Sequence, residues 1–206
     1  MTRSLEALRR QARSCHDCPL WANATQTVFG AGDPHAGVML VGEQPGDEED
    51  RKGLPFVGPA GRLLARALEA ADVPREHLYV TNAVKHFKWQ LRGKRRLHKT
   101  PAQREIDACH QWLQGEIEAV KPQVIVCLGA TAAKAVIGKD FKVSTQRGRF
   151  VKSALAPHVF ATFHPSALLR LRDAEEREAA FRQLVKDLSL IRKAIHPASR
   201  VAPAHP

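Results

Sequence analysis

Residues 38–61 read VMLVGEQPGDEEDRKGLPFVGPAG. The opening run Val38-Met39-Leu40-Val41 lies between Gly37 and Gly42 and predicts a short buried strand. Polar residues follow at once. Glu43, Gln44 and Asp47 surround Pro45-Gly46, a pair that forces a tight turn because proline fixes φ and glycine tolerates positive φ. A carboxylate and an amide thus stand on a stiff loop at the carboxyl end of a strand, which is where open α/β sheets bind ligands. Phe56 occupies a second constrained segment, Gly53-Leu54-Pro55-Phe56-Val57-Gly58-Pro59, and a ring held between prolines has little freedom left to lose on binding a flat partner.

The same alternation continues outward. Residues 61–71 predict an amphipathic helix with Leu63, Leu64, Ala67 and Leu68 inward. Leu78-Tyr79-Val80-Thr81 predicts a second strand, ending in Asn82. Residues 124–128 are apolar throughout, as a central strand is, and run into Gly129 and a helix over 130–137. Residues 150–151 and 159–163 supply two more strands, the last leading into His164-Pro165-Ser166 and a helical turn over 167–170. A short helix is expected over 4–13 and a long final one over 173–195, with Ala180, Phe181, Leu184, Leu188 and Ile191 inward. Another should start at Pro101, capped by Thr100 with Gln103 at the capping-box position, and run to Val120 with Ile106, Cys109, His110 and Leu113 on one side. Helices alternating with short apolar strands predict an α/β fold. It is a single domain over residues 1–195, with a central, mostly parallel sheet of four to five strands flanked by helices. The Pro- and Ala-rich end, 196–206, is expected to be disordered.

Composition points to a polyanionic partner: 32 Lys and Arg against 21 Asp and Glu give a net charge of +11. Residues 85–104 concentrate this excess, with eight Lys or Arg, no carboxylate, and Phe87 and Trp89 near the start. No helical or strand period shows, so the segment reads as a long loop of the kind that contacts nucleic acid. No apolar run approaches a membrane span, and a soluble, cytoplasmic monomer with no membrane partner is expected. Four unevenly spaced cysteines do not make a secreted disulfide framework. Cys15-His16-Asp17-Cys18 places two thiols three positions apart, a spacing that serves metal binding or redox chemistry.

In a parallel sheet the strand ends gather Glu43, Gln44, Asn82, Gly129 and His164 at one edge, near the confined ring of Phe56. Amides read base edges, a phenyl ring stacks on an extruded base, and an imidazole donates to an oxygen that gains charge as a base departs. On these residues the chain resembles the family 4 uracil-DNA glycosylases, and most closely their UdgX-type branch. The matching segments are Gly42-Glu43-Gln44-Pro45-Gly46, Gly53-Leu54-Pro55-Phe56-Val57-Gly58, Thr81-Asn82, Leu128-Gly129-Ala130-Thr131 and His164-Pro165-Ser166. Lys94-Arg95-Arg96-Leu97-His98 is what singles out the branch.

The resemblance implies excision of uracil from DNA; the sequence offers no obvious wedge motif for opening a duplex, so single-stranded DNA is the expected substrate. Phe56 would stack on the flipped base and Asn82 would pair with its edge. Gly42, Gln44, Asp47 and Ser166 would line the pocket. His164 would stabilise the leaving uracil anion and Glu43 the sugar cation. Arg96 would hold the basic segment while His98 attacked the sugar and stayed attached to it. The alternative is a family 4 enzyme that turns over with water; further off stands a non-catalytic iron–sulfur protein that binds nucleic acid. The resemblance also implies a 4Fe–4S cluster on Cys15, Cys18, Cys109 and a fourth ligand. The family has Cys after the lysine where this chain has Lys85-His86, so His86 is expected in that place rather than Cys127, which lies within an apolar strand. A structural zinc with the same Cys₃His set is chemically open.

Overall fold

The structure, a computed structural model, describes residues 3–195; the expected tail falls outside them. Its elements in chain order are α1 (Leu5–Ala12), β1 (Ala31–Gly32), β2 (Val38–Gly42), α2 (Asp47–Lys52), α3 (Pro59–Ala70), β3 (Leu78–Asn82), β4 (Trp89–Arg92), β5 (Arg95–His98), α4 (Gln103–Val120), β6 (Val124–Leu128), α5 (Ala130–Val136), α6 (Val143–Gln146), β7 (His158–Thr162), α7 (Pro165–Leu168), α8 (Ala174–Leu188) and α9 (Leu190–Ile195). The central sheet has the order β1-β3-β2-β6-β7, parallel except for the two-residue edge strand β1. This is the expected α/β fold.

Strand periodicity divides the core. Val38, Leu40, Val80, Val124, Val126 and Phe160 face α3, α8 and α9 through Leu64, Leu68, Leu184, Leu188 and Ile191. Met39, Val41, Tyr79, Ile125, Cys127 and Val159 face α4 and α5 through Leu113, Ile117, Val120, Ala132 and Ala133. With helices on both faces, every central strand is apolar throughout. The chain leaves β2 toward β3 on one side and later adds β6 on the other. The crevice where the order reverses therefore opens at the carboxyl ends of β2 and β6.

Several expectations are corrected. The basic segment is not a loop throughout: β4 and β5 form an antiparallel hairpin, with Arg92 paired to Arg95 across Gly93-Lys94. Gly93 has φ 60°, as a glycine-first two-residue hairpin turn requires, and the strands escaped notice because basic side chains replace the apolar alternation. Helix α4 starts two residues later than Pro101. Glu105, not Gln103, reaches back to the Ala102 amide at 2.6 Å while holding Lys88 Nζ at 2.8 Å. Trp112 is buried on α4 and His110 is exposed, so the inward stripe is Ile106, Cys109, Trp112 and Leu113. Residues 150–151 contribute only a bridge from Val151 to Val159. The final helix is broken at Ser189, whose hydroxyl donates to the Lys186 carbonyl at 2.7 Å and competes with helix propagation.

Glu49, buried on α2, fastens the two loops that flank the crevice. Its carboxylate accepts from the Gly46 amide at 3.1 Å and from the Gly58 amide at 2.7 Å. Glu49→Ala strands both amides, one of them buried. Urea unfolding should show a loss of about 1.5–3 kcal/mol, the range for hydrogen bonds to a charged group; a loss below about 0.5 kcal/mol, the scale of a neutral surface substitution, would contradict this assignment.

Candidate active site

The strand ends open onto one cleft of about 520 Å³. Glu43 follows β2, Asn82 ends β3, Gly129 follows β6 and His164 follows β7; Phe56 and His98 complete the wall. Gly42 lies beneath it. A Cβ there would collide with Asn82 Oδ1 and stand 2.6 Å from Phe56 Cζ, so the amide and the ring close together only over a hydrogen. Phe56 itself has φ 57°, a left-handed conformation that costs a bulky residue energy and persists only where its surroundings enforce it. The Glu49–Gly58 bond lies two residues on, and the Phe56 ring stands 6.3 Å from the His164 ring, inclined by 30°.

The hairpin delivers His98 to this cleft. In its register Trp89 faces His98 and Leu91 faces Arg96, so His98 and Arg96 share one side of the ribbon. Arg96 donates Nε to Asp47 at 2.5 Å and Nη1 to Asp50 at 2.7 Å, and its guanidinium lies 5.4 Å from the ring centres of both Phe87 and Trp89. Asp50 is fully buried and also receives the amide of Thr25. Sequence reasoning had Asp47 but not Asp50; their three-residue spacing on one helix face was the available signal. Gln44 braces the other end of the ribbon. Its Nε2 donates to the carbonyls of Lys88 (3.2 Å) and Lys99 (3.1 Å), and its Oε1 accepts from the Lys88 amide at 3.0 Å. Its side chain is therefore engaged with the hairpin at the border of the cleft.

So held, His98 Nε2 lies 3.2 Å from Glu43 Oε1, with 36% of the His98 side chain exposed. Thr131, on the first turn of α5, donates its hydroxyl to Glu43 Oε2. Its segment was noted in the sequence but its role was not, since a hydroxyl on a helix carries no distinctive spacing. Burial alone would raise the Glu43 pKa; the hydrogen bonds from His98 and Thr131 and the nearby imidazoles outweigh it and hold the carboxyl below its ordinary value. Glu43 is an anion at neutral pH.

His164 has the opposite environment. Burial disfavours its cation and pushes its pKa down to about 4, against the pull of the Glu43 charge and with Arg170 and His98 adding to the fall. The Ser166 amide donates to Nδ1 at 3.2 Å, and Ser166 Oγ lies 2.8 Å from the same nitrogen. An amide can only donate, so Nδ1 carries the lone pair and the proton sits on Nε2. His164 is a neutral N–H donor.

A second group of sequence-predicted residues lies apart from the cleft. Cys15, Cys18 and Cys109 are buried in one small core with Leu8, Phe29 and Trp112. Cys18 and Cys109 are hydrogen-bonded, which lowers the Cys18 pKa to about 6 and raises that of Cys109. Trp112 Nε1 donates to Cys15 Sγ at 3.2 Å, and the Lys85 amide to Cys109 Sγ at 3.4 Å. His86 follows Lys85 and is buried. Thr27 gives its hydroxyl proton to the Ala12 carbonyl at 2.9 Å, so its oxygen accepts from His86 Nε2, also at 2.9 Å. His86 Nδ1 is left with a buried lone pair and no partner. Cys127 belongs to the other core, among Met39, Ile125 and Val159. Among the described residues no three His, Cys, Asp or Glu side chains converge tightly enough to hold a single metal ion. Three buried thiols and an unpartnered buried imidazole nitrogen in one corner nonetheless make a donor set whose chemistry fits a wider iron–sulfur group.

One cleft thus brings together an aromatic ring, a side-chain amide, an anionic carboxylate and a neutral imidazole donor. Residues 29–189 match the uracil DNA glycosylase superfamily, and the chain belongs to it. Among its relatives, the type-4 uracil-DNA glycosylase of Thermotoga maritima is 37% identical over 190 residues, covering 92% of this chain and 95% of that one. The type-4 enzyme of Archaeoglobus fulgidus is 35% identical over 196 residues, covering 88% and 92%. The type-5 uracil-DNA glycosylase of Pyrobaculum aerophilum is 32% identical over 166 residues, covering 72% and 69%.

The His164 geometry gives a direct test. Nitrogen NMR at pH 5.5 should find this ring neutral, with the proton on Nε2; a protonated ring at that pH would refute the assignment. Since its folded pKa lies below the unfolded one, the unfolded chain binds more protons between about pH 6.5 and 4. This residue therefore contributes a loss of stability as the pH falls through that window.

Proposed function

We propose that the protein excises uracil from DNA and captures the abasic sugar it creates through His98. The observation that carries the reading is the placement of His98 Nε2, 3.2 Å from Glu43 Oε1 at the edge of the base-sized cleft. A uracil turned out of the strand stacks on Phe56, with its edge on Asn82. As the bond from the sugar C1′ to uracil N1 breaks, the electron pair leaves on uracil, and His164 Nε2–H donates to the oxygen that gains charge. The Glu43 carboxylate stabilises the sugar cation. A neutral nitrogen of His98 then gives its lone pair to C1′, and the resulting imidazolium remains beside Glu43. Tethering the nucleophile replaces a dilute reactant and is worth up to about 7–11 kcal/mol in ideal geometry.

The names of the type-4 relatives support a second reading, in which water takes the place of His98 and the enzyme turns over. In either case Cys15, Cys18, Cys109 and His86 would hold a 4Fe–4S cluster. Such a group, when bound, would supply a structural cross-link, since excision needs no electron transfer. His86, Cys15 and Cys18 would pin the first helix to the base of the hairpin.

A denaturing gel with a labelled single strand bearing one uracil decides between the readings. A slow band that survives heat and detergent, formed only with uracil and lost in His98→Ser while alkali-sensitive sites accumulate, is the expected result. Alkali-sensitive sites without such a band in the unmodified protein would establish turnover with water and remove His98 from the chemistry.

The hairpin also separates internal cations from those free for phosphate. Lys85, Lys88 and Arg96 are paired within the protein, whereas Arg92, Lys94 and Arg95 are exposed and have no ion-pair partner among the described residues. Replacing Arg92 and Arg95 with Ala should weaken single-strand binding and make the slope of log K against log salt shallower by about 0.7 for each phosphate that is no longer neutralised. Fluorescence anisotropy across a salt series reads this; an unchanged slope would place DNA elsewhere.

A further inference from the structure

Lys85 belongs to the basic segment by sequence, yet it is 1% exposed. Its Nζ donates to Glu116 Oε2 at 2.5 Å, to Thr81 Oγ1 at 2.7 Å and to the Asn82 carbonyl at 2.8 Å. Glu116 is equally enclosed. It accepts from the Gly30 amide at 2.9 Å, from the Tyr79 hydroxyl at 3.0 Å and from Thr81. All of an ammonium's donors and both carboxylate oxygens are therefore engaged directly behind the end of β3.

A buried ion pair is weak evidence for stability, because removing two charges from water offsets most of their attraction. What this pair does is geometric. The side chain of Lys85 folds back over the strand end it follows and clasps Thr81 and Asn82. The intervening amides of Ala83 and Val84 donate to the Gly42 and Glu43 carbonyls at 2.9 and 3.0 Å, so the clasp also fixes Asn82 against the Glu43 loop. Tolerance there is small, since Asn82 Oδ1 leaves no room for even a methyl on Gly42.

We propose that Lys85, seated on Glu116, is a positioning residue that sets the Asn82 amide at the base edge, and that the pair serves base recognition rather than stability. This rests on the reading of Asn82 as the group that pairs with uracil. Lys85→Met alone would leave Glu116 charged and unpaired, so the test combines it with Glu116→Gln, which keeps an acceptor for Gly30 and Tyr79 without a buried charge. The double change is made in the unmodified protein and in Asn82→Ala. Uracil excision is followed under single-turnover conditions, and amide hydrogen exchange at Ala83 and Val84 is followed alongside. The expected result is a fall of about 100-fold in the unmodified background, the scale of an ångström misplacement. In the Asn82→Ala background the fall should be under about threefold, because the two sites act through one contact. Exchange at Ala83 and Val84 should quicken while α8 is unchanged.

Equal losses in both backgrounds, or no loss, would overturn the proposal and leave the pair as packing. If the unmodified protein excises no uracil, the functional reading fails by itself. The exchange data then decide whether Lys85 positions this strand end: quickened exchange upholds that role and unchanged exchange refutes it.

Discussion

The clamp of Arg96 on Asp47 and Asp50 is the constraint on which the site depends. A two-stranded ribbon of basic residues has no core of its own and is marginal in water. Here it is tied down from one side by a guanidinium that reaches two carboxylates of α2 through two different nitrogens while stacking over Phe87 and Trp89. A lysine offers a single point charge and cannot span both. Gln44 fixes the far end of the ribbon, and Trp89 Nε1 donates to the Asn23 carbonyl at 2.8 Å. Three unlike contacts, on α2, on the loop after β2 and on the chain before β1, define the plane of the hairpin. The position of His98 follows from them.

Within the cleft, two titratable groups are driven to opposite states by their neighbours. Glu43 is buried enough to favour protonation, yet its two oxygens are occupied by donors, and it stays charged. His164 loses hydration in the cleft wall and meets an amide donor at Nδ1, where a cation would need an acceptor, and it stays neutral. One anionic carboxylate and one neutral N–H donor in the same cleft are the pair that the proposed excision calls for, where an anion departs and a cation forms.

The fold was legible because its strands are buried on both faces. Runs such as 124–128 have no other stable place than a sheet covered by helices. The strand-end residues were legible for the same reason, since parallel strands bring their carboxyl ends together whatever their separation in sequence. What escaped was set by polar contacts of long range. The hairpin carries arginines where alternation would have announced strands. Asp50, Thr131 and Glu116 are ordinary helix residues until the structure shows what each one holds. Lys85 was counted with the surface cations because its neighbours are cations, and only its distances to Glu116 and Asn82 remove it from that set.

The corner that holds Cys15, Cys18, Cys109 and His86 follows from the same accounting of donors and acceptors. A buried imidazole ordinarily satisfies both nitrogens, and an orphaned one is rare. Thr27 fixes which nitrogen of His86 is bare, because its only proton is directed at Ala12. The bare lone pair belongs to a side chain one residue from the amide that donates to Cys109 Sγ. Cys127, by contrast, is wrapped by aliphatic side chains on the other face of the sheet, apart from the cluster that contains the other three thiols. Location and the bare nitrogen, rather than a count of cysteines, are what support the proposal of His86 in place of Cys127.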